Sequence, residues 1–227
     1  MEAKIQAVTF DVGGTLIDPW PSVGHVYAEV AARHGWPNFI PEKLNKQFAH
    51  AWRTKRAFDY SKTAWSEVVA KTFIGLFEPG QPVPFFDALY ERFAQPDAWR
   101  VHDDVRPALE RLLERDLELG IVSNWDERLR PLLNALELDR YFRVVIISQE
   151  IGFTKPSPVI FEEAARKFAC PAAAILHVGD GEVEDVQGAR AAGLRSVRLN
   201  RQGQGAAPDV CSTLRELDAF LDEQPPG

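Results

Sequence analysis

The chain has 227 residues, enough for one large domain or for a core with a smaller second unit. Apolar residues make up 45% and charged residues 26%, a composition typical of a soluble globular protein. The net charge of −7 argues against a nucleic-acid surface, and no apolar run approaches the roughly 18 residues of a membrane span.

The first predicted element is a short buried strand over residues 5–10, which ends directly at Asp11. Val12, Gly13 and Gly14 follow it. Open α/β sheets bind their ligands at the carboxyl ends of strands, and a buried charged side chain seldom stays there without a partner. Asp11 is therefore the first candidate functional residue.

About a hundred residues with helical periodicity separate this strand from the next predicted one, at residues 117–122. A crossover between parallel strands needs only a dozen or more residues, so the excess predicts an inserted helical unit. Its apolar spacing predicts helices over residues 23–30, 65–76 and 86–93. Four of the six tryptophans fall inside this unit and are expected to form its small core.

Strands and helices alternate regularly after residue 100. Strands are predicted over residues 117–122, 144–147, 175–178 and 196–199. Helices are predicted over residues 105–113, 129–133, 160–168, 186–192 and 214–221. This alternation indicates a parallel sheet covered on both faces, with residues 1–17 and 98–227 as the core and residues 18–97 as the inserted unit.

Polar residues follow three of these strands, where each apolar run stops. They are Asp11, then Ser123-Asn124, then Gly179-Asp180-Gly181. Lys155 precedes a helix, and Asp185 lies five residues after Asp180. Each feature alone is weak, because turns and helix caps use the same residue types. The carboxyl ends of parallel strands share one edge, so together these residues predict a single site.

These motifs, in this order, resemble the haloacid dehalogenase-like hydrolase superfamily, and within it the REG-2-like branch related to haloacid dehalogenase-like hydrolase domain-containing protein 3. The segments that carry the resemblance are residues 11–16, 122–126 with Arg128 and Leu129, 152–156, and 177–180 leading to Asp185, Gly188 and Ala189. The resemblance covers nearly the whole chain. It implies a Rossmann-like doubly wound parallel sheet with an inserted helical cap, and a branch whose substrate is not firmly settled.

The resemblance implies a hydrolase in which Asp11 is the nucleophile and accepts a phosphoryl group. It also implies Mg²⁺ as cofactor, held by the Asp11 carboxylate, the Gly13 carbonyl and Asp180. Asp185 would hold a water of the ion or steady Lys155. Three clustered carboxylates resist ionising together, so the cluster itself favours a metal and a nearby lysine.

The same resemblance implies that the substrate is a small phosphorylated molecule. Its phosphoryl oxygens would be bound by the Ser123 hydroxyl, the Asn124 amide, Gly14 and Lys155. Lys155 would also be catalytic, because charge neutralisation and positioning supply most of the rate enhancement in phosphoryl transfer.

One position departs from the family pattern. Phosphatases of this superfamily usually carry a second aspartate two residues after the nucleophile, where this chain has Gly13. Glycine cannot supply the general acid, which typically contributes about 10²–10⁴-fold. We therefore expect aryl or acyl phosphates to be preferred, and Glu184, Asp126 and His25 are the candidates for a replacement acid.

Three alternatives stay open at this point. The chain could bind a phosphometabolite or a protein partner without turnover. Dehalogenases of this superfamily also lack the second acid, but they usually lose Asp180 as well. Phosphonate-cleaving members use a cap lysine as a Schiff base, which needs a desolvated amine. The cap lysines here (Lys43, Lys46, Lys55, Lys62 and Lys71) are expected to be solvated.

The remaining features predict location and partners. Cys170 and Cys211 lack metal-like spacing and are expected to be reduced thiols. Glu2 and Lys4 flank too little apolar sequence for a signal peptide, so a cytoplasmic protein is expected. We expect no nucleic-acid or membrane partner, and a monomer or homodimer. His177 lies within an apolar strand and is interpreted as a core histidine.

Overall fold

The structure is a computed structural model that describes residues 4–55, 58–77, 82–203 and 207–222. The chain packs as two compact units. Of the described residues, those up to Ile17, those in Val101–Glu127 and those from Glu137 onwards form the α/β unit. The described residues within Asp18–Arg100 and Arg128–Leu136 form the helical unit. It contains the inserted segment 18–97 expected from the sequence and, in addition, residues 98–100 and 128–136.

Six parallel strands form the sheet of the α/β unit. The strands of the chain are β1 (Ala7–Phe10), β2 (Ile17–Pro19), β3 (Trp99–Val101), β4 (Glu118–Ser123), β5 (Val144–Ile147), β6 (Ile175–Gly179), β7 (Arg195–Leu199) and β8 (Val210–Cys211). Their order in the main sheet is β5-β4-β1-β6-β7-β8, and β2 pairs with β3 separately. All five strands predicted for the main sheet are present. The pattern does not predict β2, β3 or β8, because two or three residues cannot show an alternation.

The helices are α1 (Val23–Arg33), α2 (Pro41–Arg53), α3 (Lys62–Thr72), α4 (Phe86–Arg92), α5 (Val105–Glu114), α6 (Leu129–Ala135), α7 (Ser148–Ile151), α8 (Pro158–Phe168), α9 (Gly188–Ala191) and α10 (Leu217–Asp222). A π-helical turn, Glu182–Gln187, directly precedes α9. Among the described residues, none of these helices has the length and hydropathy needed to cross a membrane.

The central strands of the sheet are buried on both faces, so their residues do not alternate between buried and exposed positions. All four residues of β1 are buried, as is normal for a central parallel strand. Side chains of β4 and β5 pack with α8, where Phe161 and Phe168 are buried. Phe10 meets Phe142 edge to face. This is the Rossmann-like, doubly wound α/β fold predicted from the sequence.

The helical unit has an aromatic core, but not the predicted one. Its buried cluster includes Tyr27, Val30, Leu44, Phe73, Phe85 and Leu89. Trp20 and Trp36 are exposed, while Trp52 and Trp65 stack on each other at 5.4 Å. The prediction of a tryptophan core is therefore wrong, because phenylalanine and tyrosine occupy the interior.

One helix of this unit is missing from the sequence prediction. Its pattern does not predict α2, whose buried positions are only Leu44 and Ala51. The helix predicted over residues 65–76 ends early, because Phe73 is its C-cap residue. In the α/β unit, Leu113 of α5 is exposed rather than in the core.

Candidate active site

The candidate site lies at the carboxyl ends of three adjacent strands. β1 lies between β4 and β6, and Phe10 is in register with Ile121 on one side and Val178 on the other. Asp11 follows β1, Ser123 ends β4, and Asp180 follows β6. Residues more than a hundred positions apart therefore meet because their strands are neighbours. All residues of the site belong to the α/β unit.

Lys155 is the centre of the site. Its Nζ lies 2.6 Å from Asp11 Oδ1 and 2.5 Å from Asp185 Oδ1. The side chain of Lys155 is only 2% exposed, against 12% for Asp11 and 3% for Asp185. Buried charges persist when they are paired, so one ammonium between two carboxylates forms a mutually compensating group.

Ser123 and the loop that carries Lys155 complete the surroundings of Asp11. The Ser123 hydroxyl donates to Asp11 Oδ1 at 2.8 Å, and Ser123 is 1% exposed. The Lys155 backbone amide donates to Asn124 Oδ1 at 2.7 Å, and Asn124 Nδ2 donates to the Lys155 carbonyl at 3.1 Å. The Asn124 side chain therefore fixes the backbone of Lys155, a role that the sequence pattern does not indicate.

Asp180 approaches the same group from the exposed rim. One possible ligand atom from each of Asp11, Asp180 and Asp185 lies within 4.8 Å of the others. Gly14 makes room for this cluster, since a Cβ there would stand 2.7 Å from Asp180 Oδ2, and its φ of +81° disfavours any side chain. Gly14 thus shapes the acidic cluster.

Asp185 is held by three donors. Lys155 Nζ and His177 Nε2 both bind Oδ1, the latter at 3.1 Å, and the Gly181 amide donates to Oδ2 at 2.8 Å. Asp185 lies on the π-helical turn. This conformation is rare in proteins overall, but where it occurs it is often at a functional site. Its carboxylate is committed to protein donors, which suits it to steadying Lys155.

The electrostatics follow from burial and from the number of acidic groups. Burial, together with the charge of Asp185, raises the pKa of Asp11 against the opposing effect of Lys155. Desolvation and the charges of Asp11 and Asp185 raise the pKa of Asp180 to about 7, although the residue as a whole is exposed. The three carboxylates thus resist ionising together.

Two groups of the cluster are nevertheless firmly charged. Burial opposes ionisation of Asp185, but Lys155 and His177 outweigh it and hold the pKa of Asp185 below its usual range. Burial likewise favours a neutral Lys155, but Asp11 and Asp185 outweigh it and raise the pKa of Lys155 above its usual range. Lys155 is therefore an ammonium, not a base.

The donor set fits a hard divalent cation. It consists of carboxylate oxygens, which Mg²⁺ prefers, and a cation would relieve the mutual repulsion that raises the pKa of Asp180. Because Asp185 is already occupied by three donors, Asp11 and Asp180 are the carboxylates best placed to contact the ion directly.

The site therefore brings together Asp11, Ser123, Lys155, Asp180 and Asp185, with Asn124 beside Lys155 and Gly14 beside Asp180. Gly13 lies against the indole of Trp125, since a Cβ there would stand 3.3 Å from Trp125 Cζ3.

The three candidate replacement acids differ in their surroundings. Glu184 is exposed and lies beside Gly181, whereas Asp126 is fully buried. His25 belongs to the helical unit, where its Nδ1 lies 2.8 Å from Ser22 Oγ. Glu184 is thus the candidate that is both exposed and close to the acidic cluster.

Sequence reasoning did not assign Thr9 and His177 to the site. His177 is a core histidine as interpreted, with no exposed surface, but it also contacts Asp185. The sequence feature that could have linked His177 to the site is its position, two residues before the end of β6. At that position it lies on the same face of the strand as Gly179. The pattern does not show that this face meets the π-helical turn.

Comparisons with known proteins agree on one family. A family model described as haloacid dehalogenase-like hydrolase matches residues 5–193. The human haloacid dehalogenase-like hydrolase domain-containing protein 3 is 34% identical over 204 residues, which cover 85% of this chain and 81% of that protein. A glyceraldehyde 3-phosphate phosphatase of Methanopyrus kandleri is 37% identical over 106 residues, 44% of this chain and 43% of that protein.

Solved structures include similar proteins with different activities. The haloacid dehalogenase-type phosphatase of Thermococcus onnurineus matches with a TM-score of 0.68 and 25% identity, over 96% of this chain and 98% of that chain. A 2-haloacid dehalogenase of Pseudomonas syringae matches with a TM-score of 0.65 and 25% identity, over 96% and 98%. The magnesium-bound putative hydrolase YfnB of Bacillus subtilis matches with a TM-score of 0.76 and 21% identity, over 97% and 100%.

Proposed function

Because this chain belongs to the haloacid dehalogenase-like hydrolase family, we propose that it is a Mg²⁺-dependent phosphatase of a small phosphorylated metabolite, acting through an aspartyl-phosphate on Asp11. The observation that carries the proposal is the Lys155 ammonium, which contacts both Asp11 and Asp185 beside the carboxylate of Asp180. We assign the helical unit the role of the family's cap.

Asp11 supplies the nucleophilic oxygen. Lys155 and Ser123 both bind Oδ1, so Oδ2 is the oxygen that we assign to attack on phosphorus. Attack forms the bond from Oδ2 to phosphorus and breaks the bond from phosphorus to the leaving group. Water then cleaves the acyl phosphate, which releases inorganic phosphate and regenerates Asp11.

The surrounding residues neutralise and orient charge. Asp11, Asp180 and the Gly13 carbonyl would hold the Mg²⁺. Once bound, the ion would offset the negative charge of the carboxylates and of the transferred phosphoryl group. The Ser123 hydroxyl, the Asn124 and Gly14 amides and Lys155 are proposed to bind the phosphoryl oxygens. Asp185 keeps Lys155 in place through its 2.5 Å contact.

The absence of an acid at position 13 limits which leaving groups the substrate can have. Glycine cannot donate a proton at this position, so we propose that the protein prefers aryl or acyl phosphates, whose leaving groups need little protonation. Glu184 is the acid that we would replace first, because it is exposed and lies beside Gly181. Wild type could turn over alkyl and aryl phosphates at equal rates. If Glu184→Gln then lost the turnover of alkyl phosphates, the general acid would be assigned to Glu184.

A 2-haloacid dehalogenase is the second candidate activity. Gly13 and the similarity to the Pseudomonas syringae enzyme favour it. The acidic cluster argues for the phosphatase, because three carboxylates with one ammonium leave negative charge that a cation would offset. A protein that binds a phosphometabolite without turnover is the non-catalytic alternative.

A release assay separates these candidates. Aryl, acyl and alkyl phosphates and 2-haloacids are tested with and without Mg²⁺, with wild type, Asp11→Asn and Asp116→Asn. Asp116 is an exposed residue with φ of 58°, a conformation that asparagine tolerates, so this variant is the matched control. We expect Mg²⁺-dependent phosphate release that Asp11→Asn abolishes and Asp116→Asn retains.

Each other outcome has a defined meaning. Phosphate release that persists in Asp11→Asn removes Asp11 as the nucleophile. Metal-independent halide release identifies a dehalogenase. Mg²⁺-dependent binding of phosphoesters without any release supports the non-catalytic alternative.

A further inference from the structure

A chain of buried polar side chains extends from Asp185 into the sheet. Thr9 and His177 are direct partners in the register of β1 and β6, and both have no exposed surface. Thr9 Oγ1 lies 2.9 Å from His177 Nδ1, and His177 Nε2 lies 3.1 Å from Asp185 Oδ1. Both ring nitrogens are therefore satisfied, as buried polar groups require.

The partners determine which ring nitrogen carries the proton. The Asp185 carboxylate can only accept, so Nε2 donates to it. His177 has no exposed surface, which favours the uncharged ring, and a neutral imidazole with its proton on Nε2 has a lone pair on Nδ1. The Thr9 hydroxyl then donates to Nδ1. The hydrogen bonds run in one direction, from Thr9 through His177 to Asp185.

Packing holds the imidazole in this orientation. The ring of Phe161, fully buried on α8, meets His177 at 5.0 Å and an interplanar angle of 77°. On the other side of the contact, Asp185 packs on the backbone of β6, because a Cβ at Gly179 would stand 2.2 Å from Asp185 Cγ. The histidine and the carboxylate therefore meet with little freedom to move.

Asp185 needs the hydrogen bond from His177 because its carboxylate holds Lys155 in place. Its Oδ1 receives Lys155 Nζ as well as His177 Nε2, and its backbone lies on an irregular π-helical turn. Without the imidazole donor, the carboxylate could turn and carry the lysine with it. The Lys155 Nζ would then lose its 2.6 Å contact with Asp11.

We propose that His177 is a positioning residue: as a single tautomer set by Thr9, it fixes the Asp185 carboxylate and thereby holds the Lys155 ammonium against Asp11. Its consequence for turnover rests on the phosphatase activity proposed above. Residues that orient primary ligands in this way typically change activity by about 10- to 100-fold when they are replaced.

The kinetic test uses paired variants. His177→Leu removes the donor, whereas His177→Gln keeps an N–H near the place of Nε2. Thr9→Val removes the hydroxyl at nearly constant shape, whereas Thr9→Ser keeps it. We expect kcat to fall about 10- to 100-fold in His177→Leu, with KM nearly unchanged. In Thr9→Val, kcat should fall by a smaller factor. His177→Gln and Thr9→Ser should recover most of the activity.

A second readout does not depend on activity. Nitrogen-15 NMR of the wild-type imidazole should show the proton on Nε2 and an unprotonated Nδ1, whose resonance moves in Thr9→Val but not in Thr9→Ser. The Lys155 ammonium protons should exchange slowly in wild type and His177→Gln, and fast in His177→Leu.

Several results would overturn the proposal. One is a proton on Nδ1 in wild type. Another is a folded His177→Leu variant with unchanged kcat, or with slowly exchanging Lys155 ammonium protons. If wild type released no phosphate from any substrate, the proposed function would fail, while the two NMR measurements would still decide the role of His177.

Discussion

The indole of Trp125 lies tightly against the position where a Cβ on residue 13 would stand. A Cβ added to Gly13 would stand 3.3 Å from Trp125 Cζ3 and 4.0 Å from Cη2. The backbone of Trp125 is itself fixed, because its amide donates to Ser148 Oγ at 3.1 Å and the same hydroxyl donates to its carbonyl at 3.1 Å. Gly13 and Trp125 are therefore complementary in size, and the glycine is more than a missing acid.

This complementarity predicts the result of restoring an acid. We expect Gly13→Asp to reduce turnover of aryl and acyl phosphates without the gain of about 10²–10⁴-fold on alkyl phosphates that a working general acid would give. Gly13→Asp combined with Trp125→Ala makes room for the carboxyl, and should raise the ratio of alkyl to aryl turnover above that of either single variant. Steady-state kinetics on one substrate of each class measures this.

The opposite result would identify a different constraint. Gly13→Asp alone could raise alkyl turnover as much as the double variant does. Trp125 would then have no role in excluding the acid.

Removing Lys155 should destabilise the fold as well as abolish activity. Lys155→Met leaves Asp11 and Asp185 buried without their shared cation, and breaking a buried pair in this way costs about 3–5 kcal/mol. Adding Asp185→Asn removes one of the uncompensated charges and should restore part of that loss. Urea unfolding without Mg²⁺ measures both free energies. Equal stability of the single and double variants would mean that the two residues are not coupled in the folded state.

The strand-end residues of the site could be predicted from the sequence, because each stands where an apolar run stops. Asp11, Ser123 and Asp180 belong to this group, and parallel pairing alone brings them together. Lys155 and Asp185 follow from their positions just before or within helices, although their 2.5 Å contact is visible only in the structure.

The sequence could not show contacts that depend on which surfaces of two elements face each other in the fold. The contact of His177 with Asp185 requires the register of β6 against the π-helical turn, and the contact of Gly13 with Trp125 requires the path of the loop after β4. In the helical unit, α2 is missed because its two buried positions, Leu44 and Ala51, are too few to show a helical period.

Mg²⁺ binding should depend on pH through Asp180. Desolvation and the charges of Asp11 and Asp185 raise its pKa to about 7, so protons compete with the cation below that pH. A single competing proton predicts an affinity about tenfold weaker at pH 6 than at pH 8. Isothermal titration calorimetry at the two pH values measures the ratio. We expect Asp180→Asn to bind weakly at both, and a pH-independent affinity in wild type would contradict the prediction.

The Asp180 carboxyl should also change how the stability of the metal-free protein depends on pH. Its folded pKa is raised above the ordinary value of 3.8, so the metal-free folded state holds the extra proton between about pH 4 and 7. This group therefore makes the metal-free protein less stable as pH rises through that window. Mg²⁺ should raise the unfolding temperature more at pH 8 than at pH 6, in wild type but not in Asp180→Asn.

Asp104 is another buried carboxylate, and it braces the loop after Asp11. It accepts from Arg201 Nη1 and Nη2 at 3.0 Å, from Thr213 Oγ1 at 2.7 Å and from the Leu214 amide at 2.8 Å. Arg201 Nη2 also donates to the Thr15 carbonyl at 2.7 Å. Although burial opposes ionisation, these donors lower the pKa of Asp104 to about 2.

Asp104→Asn should therefore lower the free energy of unfolding at pH 7 by about 2 kcal/mol, the scale of hydrogen bonds to a charged group. Because the folded pKa is depressed, this stabilisation is present above about pH 4 and is lost as pH falls towards 2. The difference between wild type and Asp104→Asn should shrink over that window in thermal unfolding. Asp209→Asn, which breaks an exposed ion pair with Arg190, is the control and should change stability by less than about 1 kcal/mol. A difference that stays constant down to pH 2 would mean that Asp104 stabilises the loop by shape and not by charge.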